Sequence, residues 1–304
     1  MTESLQETLE KGYFNFKSNL SISMPPLLMM IFIFILSMIY GVVVGYFIYA
    51  DFANIGSGNI TYNYWAFTGV FILFILLLLL VYSFFMAGAI GLSKEAVETG
   101  KTKSGNLWGY GKKYFFRIFL ASLISTFLSL LALVFYLPLL YEFYKAGTDP
   151  MMVFGTPEMM MTTLSNASIY YYAGTILATI YYILLSFVIY FAEYAIVIDN
   201  MKTIAGFKKS YHLLKENAIS VMWFILAVTL ISIFVSVLML ILLYVMTWLL
   251  GSFGLYVAEV IILVLTVFLV ALVAVWGTRA YMVLTGKTIY EFPSSSPKER
   301  ETVQ

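Results

Sequence analysis

Two carboxylates, Glu259 and Glu193, lie inside the apolar stretches of this chain. An ionisable group at bilayer mid-depth costs at least about 2.5–3.5 kcal/mol, so such groups point to proton or cation handling. Both, however, fall near the end of their stretch, where a carboxylate can reach water. They are therefore read as structural, water-reaching acids. Of the two, Glu259 is the candidate ligand for a proton or a cation facing a helix bundle.

The remaining reactive residues are sparse. There is no cysteine, so disulfide and thiolate chemistry are excluded, and there is one histidine, His212, set among Lys208, Lys209 and Lys215. Zinc needs three or four ligands, and no second histidine, cysteine or clustered carboxylate accompanies His212. It also cannot serve as base for a serine on the opposite side of a membrane. No metal or cofactor is expected. Gly100-Lys101-Thr102 and Gly286-Lys287-Thr288 resemble the end of a phosphate-binding loop, but the glycine required five residues earlier is replaced by Glu95 and Tyr281. A basic turn at lipid headgroups is the better reading. Met151-Met152 and Met159-Met160-Met161 offer soft thioether sulfur for copper(I), yet with Phe154 and Pro157 they read as a loop dipping into the membrane interface. Asn59-Ile60-Thr61 and Asn166-Ala167-Ser168 are glycosylation triplets of the kind that arise by chance.

The elements that would hold these residues follow from charge-free intervals. A helix needs roughly 20 apolar residues to cross the hydrocarbon, and six intervals are long enough. The predicted spans are 25–49, 65–92, 118–140, 170–198, 219–250 and 255–284, with a turn at Gly251-Ser252-Phe253-Gly254 between the last two. With these spans, every one of the 17 Lys and Arg residues except Lys145 falls on one side. The positive-inside bias makes that side cytoplasmic, with both termini on it, and Glu259 then sits near an outer end and Glu193 near an inner one. The net charge of +1 hides this partition and gives no indication of a nucleic-acid partner. The first apolar run, beginning at Ser23-Met24-Pro25-Pro26, is too long and starts too late for a cleaved signal peptide.

An internal repeat organises these spans. Gly91 to Thr102 and Gly277 to Thr288 share the pattern G-x7-T-G-K-T, and Lys202-Thr203-x2-Gly206-x4-Tyr211 repeats Lys101-Thr102-x2-Gly105-x4-Tyr110. Each odd-numbered span is preceded by apolar residues at helical spacing mixed with lysines: Leu5, Leu9, Tyr13 and Phe16; Leu107, Tyr110, Tyr114 and Phe115; Ile204, Phe207, Tyr211 and Leu214. This is the make-up of helices lying in the inner interface. Lys101, Trp108, Lys112, Lys113, Lys202, Lys208, Lys209 and Tyr211 are its basic and aromatic contacts with lipid. The expected architecture is an all-α membrane protein: one domain over 1–290, six transmembrane helices in one bundle, built as three repeats of interfacial helix plus hairpin. Residues 291–304 are expected to be a disordered cytoplasmic tail. Ser37-x3-Gly41-x3-Gly45 and Ser83-x3-Ala87-x3-Gly91 put small residues on one stripe, which lets helix backbones approach closely. They are read as internal contacts, the first helix against the second, with a homodimer face as the alternative.

The stretches Gly100 to Ser122 and Asp199 to Phe224, above all Asp199 to Ser210, resemble uncharacterised prokaryotic six-helix membrane families. Those are in turn similar to the membrane domain attached to some glycerophosphodiester phosphodiesterases. The hydrolytic domain has no counterpart here, so the resemblance implies a six-helix fold and carries over no activity or catalytic residue. The leading expectation is a scaffold or interaction protein of the cell membrane, with the bilayer and an unidentified membrane or cytoplasmic protein as partners. The alternative is a transporter of an apolar or lipid-like solute, for which a membrane-exposed cavity lined by Tyr and Ser would speak, whereas a solid bundle would favour the scaffold; a membrane-embedded enzyme comes third.

Overall fold

The computed structural model describes residues 3–55, 64–138, 141 and 157–290, and these are helical almost throughout, with no strand among them. Backbone in hydrocarbon must satisfy its own hydrogen bonds, and a helix does so within a single segment. Among the described residues, five helices are long and apolar enough to cross a membrane: Leu20–Phe47, Ala66–Thr99, Asn106–Tyr136, Ile169–Ile198 and Ala218–Leu284.

The chain divides into two compact units, one of residues 1–121 with 191–304 and one of 122–190. In the first, α1 (Leu5–Ser18) starts at a capping box, where Glu7 N donates to Ser4 Oγ (3.2 Å) and Ser4 N to Glu7 Oε2 (2.8 Å). Such a cap stabilises a helix by about 1 kcal/mol. Asn19, with φ −136°, ends α1. A short 3-10 turn, Leu20–Ser23, leads into α2 (Met24–Ile55), whose Pro25 and Pro26 occupy a first turn that needs no amide donors. α3 (Tyr64–Thr99) lies against α2 through stacked Tyr40 and Phe74, 4.2 Å between centroids. α4 (Asn106–Leu130) begins in this unit.

In the second unit the end of α4 continues as a 3-10 segment, Leu131–Tyr136, and pairs with α5 (Pro157–Ile189). Tyr181 Oη donates to Leu128 O (2.7 Å) and Tyr182 Oη to Ser129 O (3.1 Å), while Gly174 lies under the Phe135 carbonyl.

Back in the first unit, α6 (Ala192–Ile198) and α7 (Thr203–Glu216) are joined through Asn200, and α8 runs from Ala218 to Leu284. A straight helix of 67 residues would be about 100 Å long. It breaks at Gly251 (φ 58°, ψ −142°), a conformation open to glycine and strained for other residues. Gly254 packs on the Met246 carbonyl, and Thr266 Oγ1 reaches Met239 Sδ at 3.8 Å. Residues 218–250 and 252–284 are thus two legs folded against each other.

One expected element is corrected. Leu107–Phe115 is not a separate interfacial helix but the first turns of α4, which continues unbroken to Leu130. α1 and α7 stop at Asn19 and Asn217, whose φ values of −136° and −128° leave the helix; the chain around Arg117 and Ile118 has no such breaker. The expected aromatic face there is accordingly a packing face. Leu107 and Tyr114 are buried, Leu107 meets Gly88, and Tyr110 meets Gly91 of α3. The Asn59 triplet, Lys145, Met151, Met152 and residues 291–304 lie outside the described residues, and of Met159–Met161 and Asn166 only the helical backbone is described.

Candidate functional site

Three helix faces in the first unit leave a groove between them. α2 contributes Met30, Ile33, Phe34 and Ser37. The first leg of α8 contributes Ser236, Met239, Leu240 and Leu243, and its second leg Glu259, Ile262, Leu263 and Thr266. Each set has the spacing i, i+3, i+4, i+7 of a single helix face. The cavity measures about 730 Å3, within the range of roughly 300–1,000 Å3 in which small-molecule sites fall.

Its polar atoms sit at the two ends. α1 lies along the last turns of α8: Phe16 meets Phe268 at 6.0 Å, and Trp276 Nε1 donates to Leu9 O at 2.8 Å. α2 therefore starts at that end and runs antiparallel to the second leg. Ser37 and Glu259 lie toward the Gly251 end of the groove. Ser236 and Thr266 lie toward the other, about 10 Å away along the leg at 1.5 Å per residue, with aliphatic, phenyl and thioether groups between. Ser236 Oγ donates to Ser232 O (2.8 Å) and Thr266 Oγ1 to Ile262 O (2.7 Å). Ser236 thus bonds back to its own helix, while Thr266 Oγ1 bonds its own helix and also lies 3.8 Å from Met239 Sδ on the other leg. Glu259, the one charged residue of the lining, is acceptor-only when ionised.

A second concentration of polar groups ties the helix ends together. Arg279 is fully buried and pairs with Glu3: Nη2 to Oε1 at 2.5 Å and Nε to Oε2 at 3.1 Å, with Lys11 Nζ also 3.1 Å from Oε1. Burial raises the Glu3 pKa, but the hydrogen bonds and charges of Arg279 and then Lys11 outweigh it and hold this carboxyl below its ordinary value. Asn19 Nδ2 donates to Gly100 O (3.0 Å), and its Oδ1 accepts from Thr102 N (2.9 Å). Glu95 accepts from Thr102 Oγ1 (2.8 Å), Asn106 Nδ2 (2.9 Å) and Tyr110 Oη (2.9 Å). The Gly100-Lys101-Thr102 turn is thus clamped by an amide and a carboxylate, and a carboxylate in that place repels phosphate. Gly286-Lys287-Thr288 is held similarly, with Lys287 Nζ 2.6 Å from Asp199 Oδ1 and Tyr281 Oη donating to Asp199 Oδ2 at 2.6 Å.

The other residues singled out in the sequence fall as follows. Glu193 accepts from Tyr82 Oη at 3.1 Å, in the first turn of α6. Lys101, Trp108, Lys112, Lys113, Lys202, Lys208 and Tyr211 are exposed and Lys209 is half-buried. Ala87 and Gly91 are buried. Ser37 lines the groove, while a Cβ on Gly41 or Gly45 would meet no described atom within 4 Å. His212 Nε2 lies 3.0 Å from Glu216 Oε1 on the exposed side of α7. Asn19, Glu95, Asp199 and the Glu3–Arg279 pair escape a sequence reading, because their partners are distant in the chain and each looks like an ordinary junction residue.

No curated protein and no solved structure matches this chain. The profile of a domain of unknown function, DUF7847, matches residues 23–284. That stretch takes in the groove, the α3–α4 turn and both legs of α8, and the chain belongs to the DUF7847 family.

Proposed function

We propose that this chain is a six-span integral membrane protein with both ends in the cytoplasm, and that its first unit binds an apolar or lipid-like solute. The groove carries the proposal. A scaffold calls for a solid bundle, whereas here three helix faces diverge around about 730 Å3 lined by apolar groups with polar atoms only at the ends. Broken helices and mid-depth polar clusters suit polar solutes; the aliphatic centre of this groove suits a chain-like one.

Several observations support the six spans. The break at Gly251 divides a helix too long for one crossing. Lys and Arg gather on one side. Left-handed residues at Gly100, Asn200 and Gly286 end the second, fourth and sixth proposed spans, each with a lysine one or two positions on. A threefold repeat gains support from burial. Thr8, Gly12 and Asn15 form a buried stripe; Leu107, Gly111 and Tyr114 form one with the same spacing about 100 residues later, and Gly206, Ser210 and Leu213 another about 100 later still. In each, the small central residue meets a helix that closes a proposed even-numbered span: Gly12 on Trp276, Gly111 on Phe84, and Ser210 through its hydroxyl on Phe191 N.

Native mass spectrometry of the purified full chain tests the solute reading. The wild type should carry a bound apolar molecule or lipid that Leu240→Trp, which narrows the middle of the groove, retains less of. Identical ligand profiles for a folded Leu240→Trp and the wild type would overturn it.

A further inference from the structure

The groove has an electrostatic polarity that specifies its ligand more closely, and this step rests on the solute reading above. The hydroxyls of Ser236 and Thr266 make their short hydrogen bonds, 2.8 and 2.7 Å, to Ser232 O and Ile262 O of their own helices. Glu259 adds an anion, and among the described lining residues no Lys, Arg or His offsets it. Glu259 stands about 10 Å along the leg from Thr266, across Ile262 and Leu263. A ligand complementary to this arrangement has a donor-bearing cationic head at the Glu259 and Ser37 end and an apolar chain along Ile33, Phe34, Leu240 and Leu263.

We propose that the groove takes a membrane-dissolved amphiphile with a protonated amine head, and that Glu259 is its counter-ion. Glu259 is exposed beside this apolar, lipid-accessible cleft, and an ammonium group at that end supplies a charge-assisted hydrogen bond that no neutral head can match. A neutral alcohol of the same length can fill the chain region but gives Glu259 only a neutral donor. A fatty acid ionised at its head would meet like charge.

The test uses the full chain in phosphatidylglycerol vesicles, where no lipid carries an ammonium group, and two photoreactive probes, diazirine-bearing hexadecylamine and diazirine-bearing hexadecanol. Labelling of peptides covering residues 30–37 and 236–266 is read as the part displaced by excess unlabelled probe. The wild type should favour the amine over the alcohol by about tenfold, the span of one charge-assisted bond over a neutral one, and Glu259→Gln should remove that preference while keeping the alcohol labelling. Equal saturable labelling by both probes in the wild type, or an amine preference that survives Glu259→Gln, would overturn the amine assignment and leave the solute groove standing. Absence of saturable labelling by either probe would overturn the groove itself. Should Glu259→Gln fail to assemble, the wild-type amine-to-alcohol ratio decides alone.

Discussion

Replacing Glu3 with alanine should release α1 from the rest of the first unit. Arg279 has 0% and Glu3 10% side-chain exposure, and the pair makes two hydrogen bonds, at 2.5 and 3.1 Å. Arg279 Nη1 has no partner among the described residues, so the guanidinium relies heavily on Glu3. Removing one member of a buried pair leaves an uncompensated charge at a cost of about 3–5 kcal/mol. That exceeds what the Trp276–Leu9 bond contributes, about 1 kcal/mol, and is comparable with the burial of Phe16, about 1.5–3 kcal/mol. The cheaper response is for α1 to lift and let Arg279 reach water. Amide exchange over residues 5–18 should accelerate about a hundredfold or more, with α3 and the α8 legs little changed. Arg279→Met combined with Glu3→Ala should restore much of the protection, since an apolar side chain no longer needs the carboxylate. Unchanged exchange in Glu3→Ala, or no recovery in the double variant, would refute the reasoning.

Three further outcomes follow from the same geometry. Because the folded-state pKa of Glu3 is lowered, its contribution is present above the ordinary carboxylate value of 4.5 and lost as pH falls through the lowered one; α1 protection should be flat from neutral pH to that range and decline below it, an acid limb that Glu3→Ala reduces to the part carried by Glu7, whose pKa the Ser4 hydrogen bonds also lower. Gly251→Ala should destabilise by about 1–3 kcal/mol, since φ 58° with ψ −142° strains any side chain, whereas Gly41→Ala should gain up to about 1 kcal/mol from helix propensity, its Cβ meeting nothing within 4 Å; denaturation midpoints compare the two. Single cysteines placed in this cysteine-free chain should react with an impermeant thiol reagent in intact cells at Thr61 and be protected at Lys101 and Gln304, and a protected Thr61 with a reactive Lys101 would reverse the proposed topology.

What the sequence made legible was whatever depends on contiguous stretches. Charge-free intervals mark the long helices because transfer into hydrocarbon is a property of the local segment, and Gly251 and Gly254 mark the turn in α8 because glycine alone tolerates both its dihedral angles and its close approach. Leu107–Phe115 was misassigned because amphipathic spacing describes a face without saying whether lipid or another helix covers it. The groove was not legible at all. α2 and α8 are apolar around their whole circumference, so no periodicity singles out Met30–Ser37 or Glu259–Thr266 as a face, and three separated segments must converge before the opening exists. Arg279 read as one more positive charge at a membrane boundary, since its partner Glu3 stands 276 positions away.

The central claim, a solute groove between α2 and the two legs of α8, is tested most directly by an electron cryomicroscopy map of the full chain in phosphatidylglycerol nanodiscs with hexadecylamine added. The account predicts elongated density lying along Ile33, Leu240 and Leu263 with its head against Glu259, weakened in Leu240→Trp. A groove closed by contact between α2 and both legs, or one that stays empty at saturating hexadecylamine, would contradict it.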